Sequence, residues 1–155
     1  MNPDQALLAR FAGAPLSVDS NALAQALRTT MTALDRKAGS VTLTFEPGEV
    51  FVQGRGVVQG GIVATMLDFA AAYAALAILP DGQSAATASL TVGFQSAVRA
   101  GMVTATGTVE RAGKRAVFTR AQLSDGSGQV LATATAVMLV LPERPPSPAP
   151  ARCRR

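Results

Sequence analysis

From Ser40 to Glu46 apolar and polar residues alternate, with Val41, Leu43 and Phe45 on one face and Thr42 and Thr44 on the other. This is the period of a half-buried strand. Thr29–Asp35 precedes it across Arg36-Lys37-Ala38-Gly39, which predicts a hairpin turning at Lys37–Gly39 and ended by Pro47-Gly48. Four further runs alternate. Thr87–Val98 sets Leu90, Val92 and Phe94 against Thr87, Ser89 and Thr91, and Gly101–Arg111 sets Val103, Ala105 and Val109 against threonines. Lys114–Ser124 carries Val117, Thr119, Ala121 and Leu123 on one side, and Gln129–Leu141 follows. The connections Arg99–Gly101, Ala112–Gly113 and Asp125–Gly128 are short, and each predicts antiparallel neighbours. Residues 3–12 and 19–28 read as short helices, with Pro3 in a first turn and Ser20 or Asn21 as a cap.

Between the strand groups the period changes. Gly60–Leu79 reads as one long helix, led in by the glycine-rich Gly54–Gly61 and stopped by Pro80-Asp81-Gly82. At about 100° per residue, Ile62, Met66, Phe69, Tyr73 and Leu76 form one stripe, and Ala64, Asp68, Ala71 and Ala75 another. A helix apolar nearly all round must be covered on nearly all sides. A curved antiparallel sheet wrapped round it would do that, which predicts an α+β fold of the hotdog type. Val57–Leu79 also has the length of a membrane span. Gly60-Gly61, the alanine-rich middle and the lack of a flanking positive cluster oppose that reading. So does Asp68, which would cost about 2.5–3.5 kcal/mol at a bilayer centre. The expectation is a soluble cytoplasmic domain with no membrane partner.

Composition narrows the chemistry. The 155 residues are 48% hydrophobic and 15% charged, which excludes intrinsic disorder. No histidine is present, so Ser-His-Asp and Cys-His mechanisms and His-ligated zinc are excluded. Cys153 stands alone, so neither an intrachain disulfide nor a cysteine metal cluster is expected, and no metal or cofactor is predicted. Met1–Phe11 lacks the apolar core of a secretory signal. The net charge of +4 is concentrated in residues 142–155, where four arginines face one Glu; five of the nine prolines lie there too. These residues read as a disordered or extended tail after a single domain of residues 1–141. With no basic stripe interleaved with aromatics, no nucleic-acid partner is expected.

One carboxylate in an apolar helix needs a reason, because an ionised and unpaired one costs several kcal/mol. Asp68 is either a structural acid satisfied by backbone amides or an arginine, or a catalytic base. The residue type alone does not choose. The Gln59-Gly60-Gly61 segment at the helix start adds free backbone amides and the positive end of the dipole. Such donors would stabilise a tetrahedral oxyanion, an effect worth roughly 3–4 kcal/mol for one donor elsewhere. Gln59 and Asp68 are about 13 Å apart along a helix, too far to serve one atom within a chain. Gly60 from one subunit and Asp68 from another would solve the geometry. A P-loop is excluded, since the Gly-Lys-Ser/Thr ending is missing.

The segment Gly56-Val57-Val58-Gln59-Gly60-Gly61-Ile62-Val63-Ala64-Thr65-Met66-Leu67-Asp68 resembles the G-x-V-H-G-G-x-x-x-x-L-x-D signature of hotdog acyl-CoA thioesterases, in the PaaI-like and 4-hydroxybenzoyl-CoA thioesterase groups. The likeness continues through Thr87–Phe94, Val109–Arg115 and Asp125–Ala132 and covers roughly residues 40–140. It implies that Asp68 attacks the thioester carbonyl of an acyl-CoA or activates water to do so. It implies that the Gly60 amide binds the thioester oxygen and that Thr87 helps hold the water. Gln59, in place of the usual His, would position by hydrogen bonding without titrating. Gln53, where Asn is common, and Gly61 would lie in the substrate pocket, while Arg111, Gly113, Lys114 and Arg115 would contact CoA across a subunit boundary. Members are dimers or dimers of dimers with sites at the interface. A non-catalytic hotdog module that binds an acyl-CoA or acyl carrier is the rival reading, motivated by Gln59 and Gln53. A hotdog dehydratase is weaker, because those enzymes pair an Asp with a His.

Overall fold

Alternation along the strands becomes a sheet with one wet face and one buried face. The computed structural model describes residues 2–142. In chain order the elements are α1 (Pro3–Arg10), β1 (Leu16–Ser17), α2 (Ala22–Ala26), β2 (Thr30–Asp35), β3 (Ser40–Phe45), β4 (Val52–Gln53), β5 (Val57–Val58), α3 (Gly60–Ile78), β6 (Ser84–Phe94), β7 (Val103–Ala112), β8 (Ala116–Ser124) and β9 (Val130–Leu141). The tail expected at 142–155 lies, past Pro142, outside the described residues.

Seven strands form one antiparallel sheet in the order β1-β2-β3-β7-β8-β9-β6, and β4 and β5 form a separate hairpin. Val41, Leu43 and Phe45 of β3, Val117, Thr119, Ala121 and Leu123 of β8, and Ala132, Ala134, Ala136 and Met138 of β9 are buried on one face. That face receives α3, which packs against β3 and β6 to β9. Small residues set the approach. A Cβ on Gly107 of β7 would lie 2.0 Å from the Ala70 carbonyl oxygen, so only glycine allows the strand to pass this close to the helix. The arrangement is the expected hotdog fold, a long helix held in an antiparallel sheet. Among the described residues α3 is the one helix long and apolar enough to span a bilayer, and it is the central helix of the fold.

The N-terminal helices close the far end. Asn2 caps α1 by accepting from the Asp4 amide, and Asn21 caps α2 by accepting from the Ala24 amide. Gln5 is buried and donates to the Pro80 carbonyl at 2.9 Å while accepting from the Gly82 amide at 2.9 Å. Tyr73 of α3 gives its one hydroxyl proton to Asp4 Oδ1 at 2.7 Å, so Ser20 Oγ, at 2.9 Å, must be the donor to the phenol oxygen. Burial pushes the Tyr73 phenol well above its ordinary pKa.

Two expectations are corrected. First, β6 and β7 are not neighbours: β6 pairs with β9 at one edge, and β7 lies between β3 and β8. The connection around Arg99–Gly101 is not a hairpin turn but part of a crossover. Its backbone is committed elsewhere, since the Val98 carbonyl accepts from the Val58 amide at 2.7 Å and Arg99 bridges to Val57. Second, α3 is not covered all round. Val63, Met66, Leu67, Ala70, Ala71 and Tyr73 to Ala77 are buried, but Gly61, Ala64, Thr65, Asp68 and Ala72 keep solvent contact. Because β6 ends the sheet, no strand among the described residues reaches past it to cover this stripe.

Candidate active site

Asp68 lies midway along α3 on the stripe the sheet leaves open, and it is half-buried rather than buried. Thr87 of β6 donates its hydroxyl proton to Asp68 Oδ1 at 2.8 Å, and its oxygen also lies 3.4 Å from Met138 Sδ. Among the described residues no arginine, lysine or backbone amide bonds this carboxylate, and Thr87 alone meets it. The backbone amides or arginine of the structural reading are not its partners among the described residues.

Simple alternation placed Thr87 with Ser89 and Thr91, facing away from Leu90. The structure corrects this. The register of β6 on β9 shifts between Thr87↔Met138 and Ser89↔Val137, leaving Ala88 as an extra residue. A bulge turns the side chains before it to the opposite face. Thr87 thus joins Leu90, Val92 and Phe94 on the face that looks at α3.

A second group gathers at the start of α3. Gln59 is the N-cap residue, with φ −56° and ψ 136°, and its side chain caps nothing. Its carbonyl accepts from the Ile62 and Val63 amides at 2.9 and 3.1 Å. Among the described residues no acceptor meets the amides of Gly60 and Gly61, the first-turn donors a helix cannot satisfy itself. Beside them lies a cleft of about 360 Å³ whose walls include Gln53, Val58, Gly60, Val63, Phe94 and Val98. The Phe94 ring is the nearest neighbour of Gly60, 3.5 Å from where a Cβ would stand. Sequence reading assigned Phe94 to an apolar strand face, yet it is 58% exposed. The missed signal is its place, the last residue of a strand followed by the polar Gln95-Ser96.

A third group is the turn between β7 and β8. The Gly113 amide donates to the Ala116 carbonyl at 2.8 Å, and the Arg115 carbonyl accepts from Val140 at 2.9 Å. The side chains of Arg111, Lys114 and Arg115 are exposed and form no ion pair among the described residues. Thr87 pairs with Met138, which pairs with Val117, so two strand spacings and two residues separate Thr87 from Arg115, about 12 Å.

One chain therefore brings Asp68 to Thr87, and Gly60 and Gly61 to Gln53 and Phe94, but does not join the two groups. Gly60 and Asp68 are about 12 Å apart along the helix. A larger hollow of about 760 Å³ lies on the outer face of the sheet among Thr91, Thr106, Thr108, Arg120, Gln122 and Thr135. It holds none of the candidate residues and no unpaired acid, since Glu110 at its rim pairs with Arg120 at 3.6 Å.

Comparison with known proteins adds the family. The thioesterase superfamily model matches residues 55–132, which contain both groups except Gln53. A phenylacetic acid degradation-related protein of Ralstonia eutropha superposes with a TM-score of 0.77 at 29% identity, covering 90% of this chain and 99% of its own. The PaaI protein of the Escherichia coli phenylacetic acid degradation operon superposes at 0.73 with 22% identity, over 81% and 88% of the two chains. A Bacillus halodurans protein solved with CoA superposes at 0.62 with 27% identity, over 64% and 66%. None of the curated proteins is matched.

Proposed function

The chain belongs to the thioesterase superfamily, and on that premise we propose that it hydrolyses the thioester of a small acyl-CoA at sites shared between two copies. The observation that carries this reading is the pairing of Thr87 with an otherwise unpartnered Asp68 on the open stripe of α3. Asp68 acts on the thioester carbonyl carbon, directly or through a water whose proton it takes, and Thr87 holds the carboxylate or that water in place. The carbonyl oxygen gains negative charge as the tetrahedral centre forms, and the Gly60 amide of the other copy donates to it. Collapse breaks the carbon–sulfur bond and releases CoA as its thiol. Gln59 and Gln53 position the substrate, and Gly61 leaves room for it. Arg111, Lys114 and Arg115, around Gly113, meet the phosphates of CoA.

The copy needed is suggested by β6. Its outer edge is unpaired among the described residues along an 11-residue strand, a template for a further strand. Two-fold antiparallel pairing of β6 with a second copy would bring the Thr87 end of one strand toward the Phe94 end of the other. It also covers the open stripe of α3. The CoA in the Bacillus halodurans relative supports the substrate class, and the operon of the Escherichia coli relative favours an aromatic acyl group. The test is thiol release from a panel of acyl-CoAs by the wild type and by Asp68→Asn. A fall in kcat of several orders of magnitude with an unchanged melting curve supports the reading. Tight binding without thiol release in the wild type would instead make the protein a binding module.

A further inference from the structure

We propose that Phe94 is the specificity-determining residue of this site and that its ring selects a flat aromatic acyl group. The inference rests on the thioesterase reading above and goes beyond it in naming the residue that discriminates. Three observations meet at this side chain. A large aromatic ring is 58% exposed at the end of β6, where water is a poor neighbour. Its Cζ and Cε1 stand 3.5 and 3.6 Å from the Cβ position of Gly60, in van der Waals reach of the first turn of α3. The ring also walls a cleft of about 360 Å³ whose other apolar walls include Val57, Val58, Val63 and Val98. Ligand pockets run from about 300 to 1,000 Å³, so this one suits a compact group.

The Gly60 amide anchors the proposed pose. An oxygen accepting from the Gly60 amide sits about 2.9 Å from that nitrogen. The acyl carbon is one bond further on, and its substituent extends along the cleft wall that Phe94 provides. An aryl substituent there meets the ring offset or edge-on, which flexible saturated chains cannot do. Such ring pairs favour association by roughly 2- to 12-fold beyond area burial. Gly60 therefore has two roles: it supplies the amide, and its missing side chain lets the ring come close.

The experiment measures kcat/KM for benzoyl-CoA and hexanoyl-CoA, acyl groups of similar size, by thiol release from the full chain. It compares wild type with Phe94→Leu and Phe94→Ala. Leucine keeps apolar bulk without an aromatic face, so it serves if the alanine variant folds poorly. The expected result is a benzoyl-to-hexanoyl ratio of kcat/KM about five-fold lower in Phe94→Leu than in wild type. Size-exclusion profiles of the variants should match wild type. An unchanged ratio in both variants overturns the proposal. Equal loss on both substrates with dissociation of the oligomer also overturns it, and assigns Phe94 to the subunit contact instead. A wild type that releases no thiol from either substrate or from the wider acyl-CoA panel refutes the hydrolase reading itself, and this inference falls with it.

Discussion

Gly107→Ala tests how the sheet positions α3 and, through it, Asp68. The added Cβ would stand 2.0 Å from the Ala70 carbonyl oxygen and 2.4 Å from its carbon, and both are backbone atoms that no rotamer change can move. Restoring ordinary contact near 3.4 Å requires β7 and α3 to separate by about 1.4 Å. Overpacking of a well-filled core costs about 1–3 kcal/mol, and a clash with backbone belongs at the upper end. For a domain of this size that lowers the melting temperature by roughly 6–12 °C. The same displacement stretches the 2.8 Å contact between Thr87 and Asp68. A misplacement of about 1 Å at reacting groups can cost on the order of a hundred-fold in rate. Calorimetric melts and thiol-release assays read the two effects. Gly126→Ala is the control, since nothing stands within 4 Å of its added Cβ and its φ is ordinary. A Gly107→Ala melt within about 1 °C of wild type would refute the claim that this contact sets the helix position.

Thr87→Val should lower kcat by about ten- to a hundred-fold with little change in melting temperature, because it removes the one hydrogen bond that holds Asp68 among the described residues. Thr87→Ser should keep most of the activity, and wild-type kcat in the valine variant would remove Thr87 from the site. Tyr73 gives a pH signature. Its folded pKa is raised, so above pH of about 10 the unfolded chain loses the phenol proton while the folded chain keeps it. Stability should therefore be intact below that pH and decline above it, and Tyr73→Phe should abolish the decline. Tyr73 is the only tyrosine and tryptophan is absent, so phenolate absorbance reports this group alone. Ionisation at the ordinary tyrosine pH in the folded protein would contradict the buried setting.

Elements with strong local periodicity were legible in the chain. The β2–β3 hairpin, α3 and the alternation of β7 and β8 follow from side-chain period, which local sequence records directly. Features decided by partners at long range were not. The crossover between β6 and β7 looks like a turn because its residues are turn formers, but its direction is set by hydrogen bonds to Val57, Val58 and Leu131. The face of Thr87 depends on one extra residue at Ala88, and strict alternation inverts it. The apolar neighbours of Asp68 along the helix suggest a buried acid. Its exposure depends instead on where the sheet ends. Phe94 reads as core from its strand and becomes a cleft wall only through its position against Gly60.

The central claim is that each site takes Asp68 from one copy and the Gly60 amide from the other. Subunit complementation tests it most directly. Gly60→Pro removes that amide at the first helical position, where proline is tolerated, and the ψ of 136° at Gln59 suits a following proline. Asp68→Asn removes the carboxylate. Each variant alone should be nearly inactive. Chains unfolded together and refolded as an equal mixture should regain about a quarter of wild-type turnover, since half the dimers are mixed and each mixed dimer has one intact site. A mixture no more active than its two components would place both groups in one chain and contradict the account.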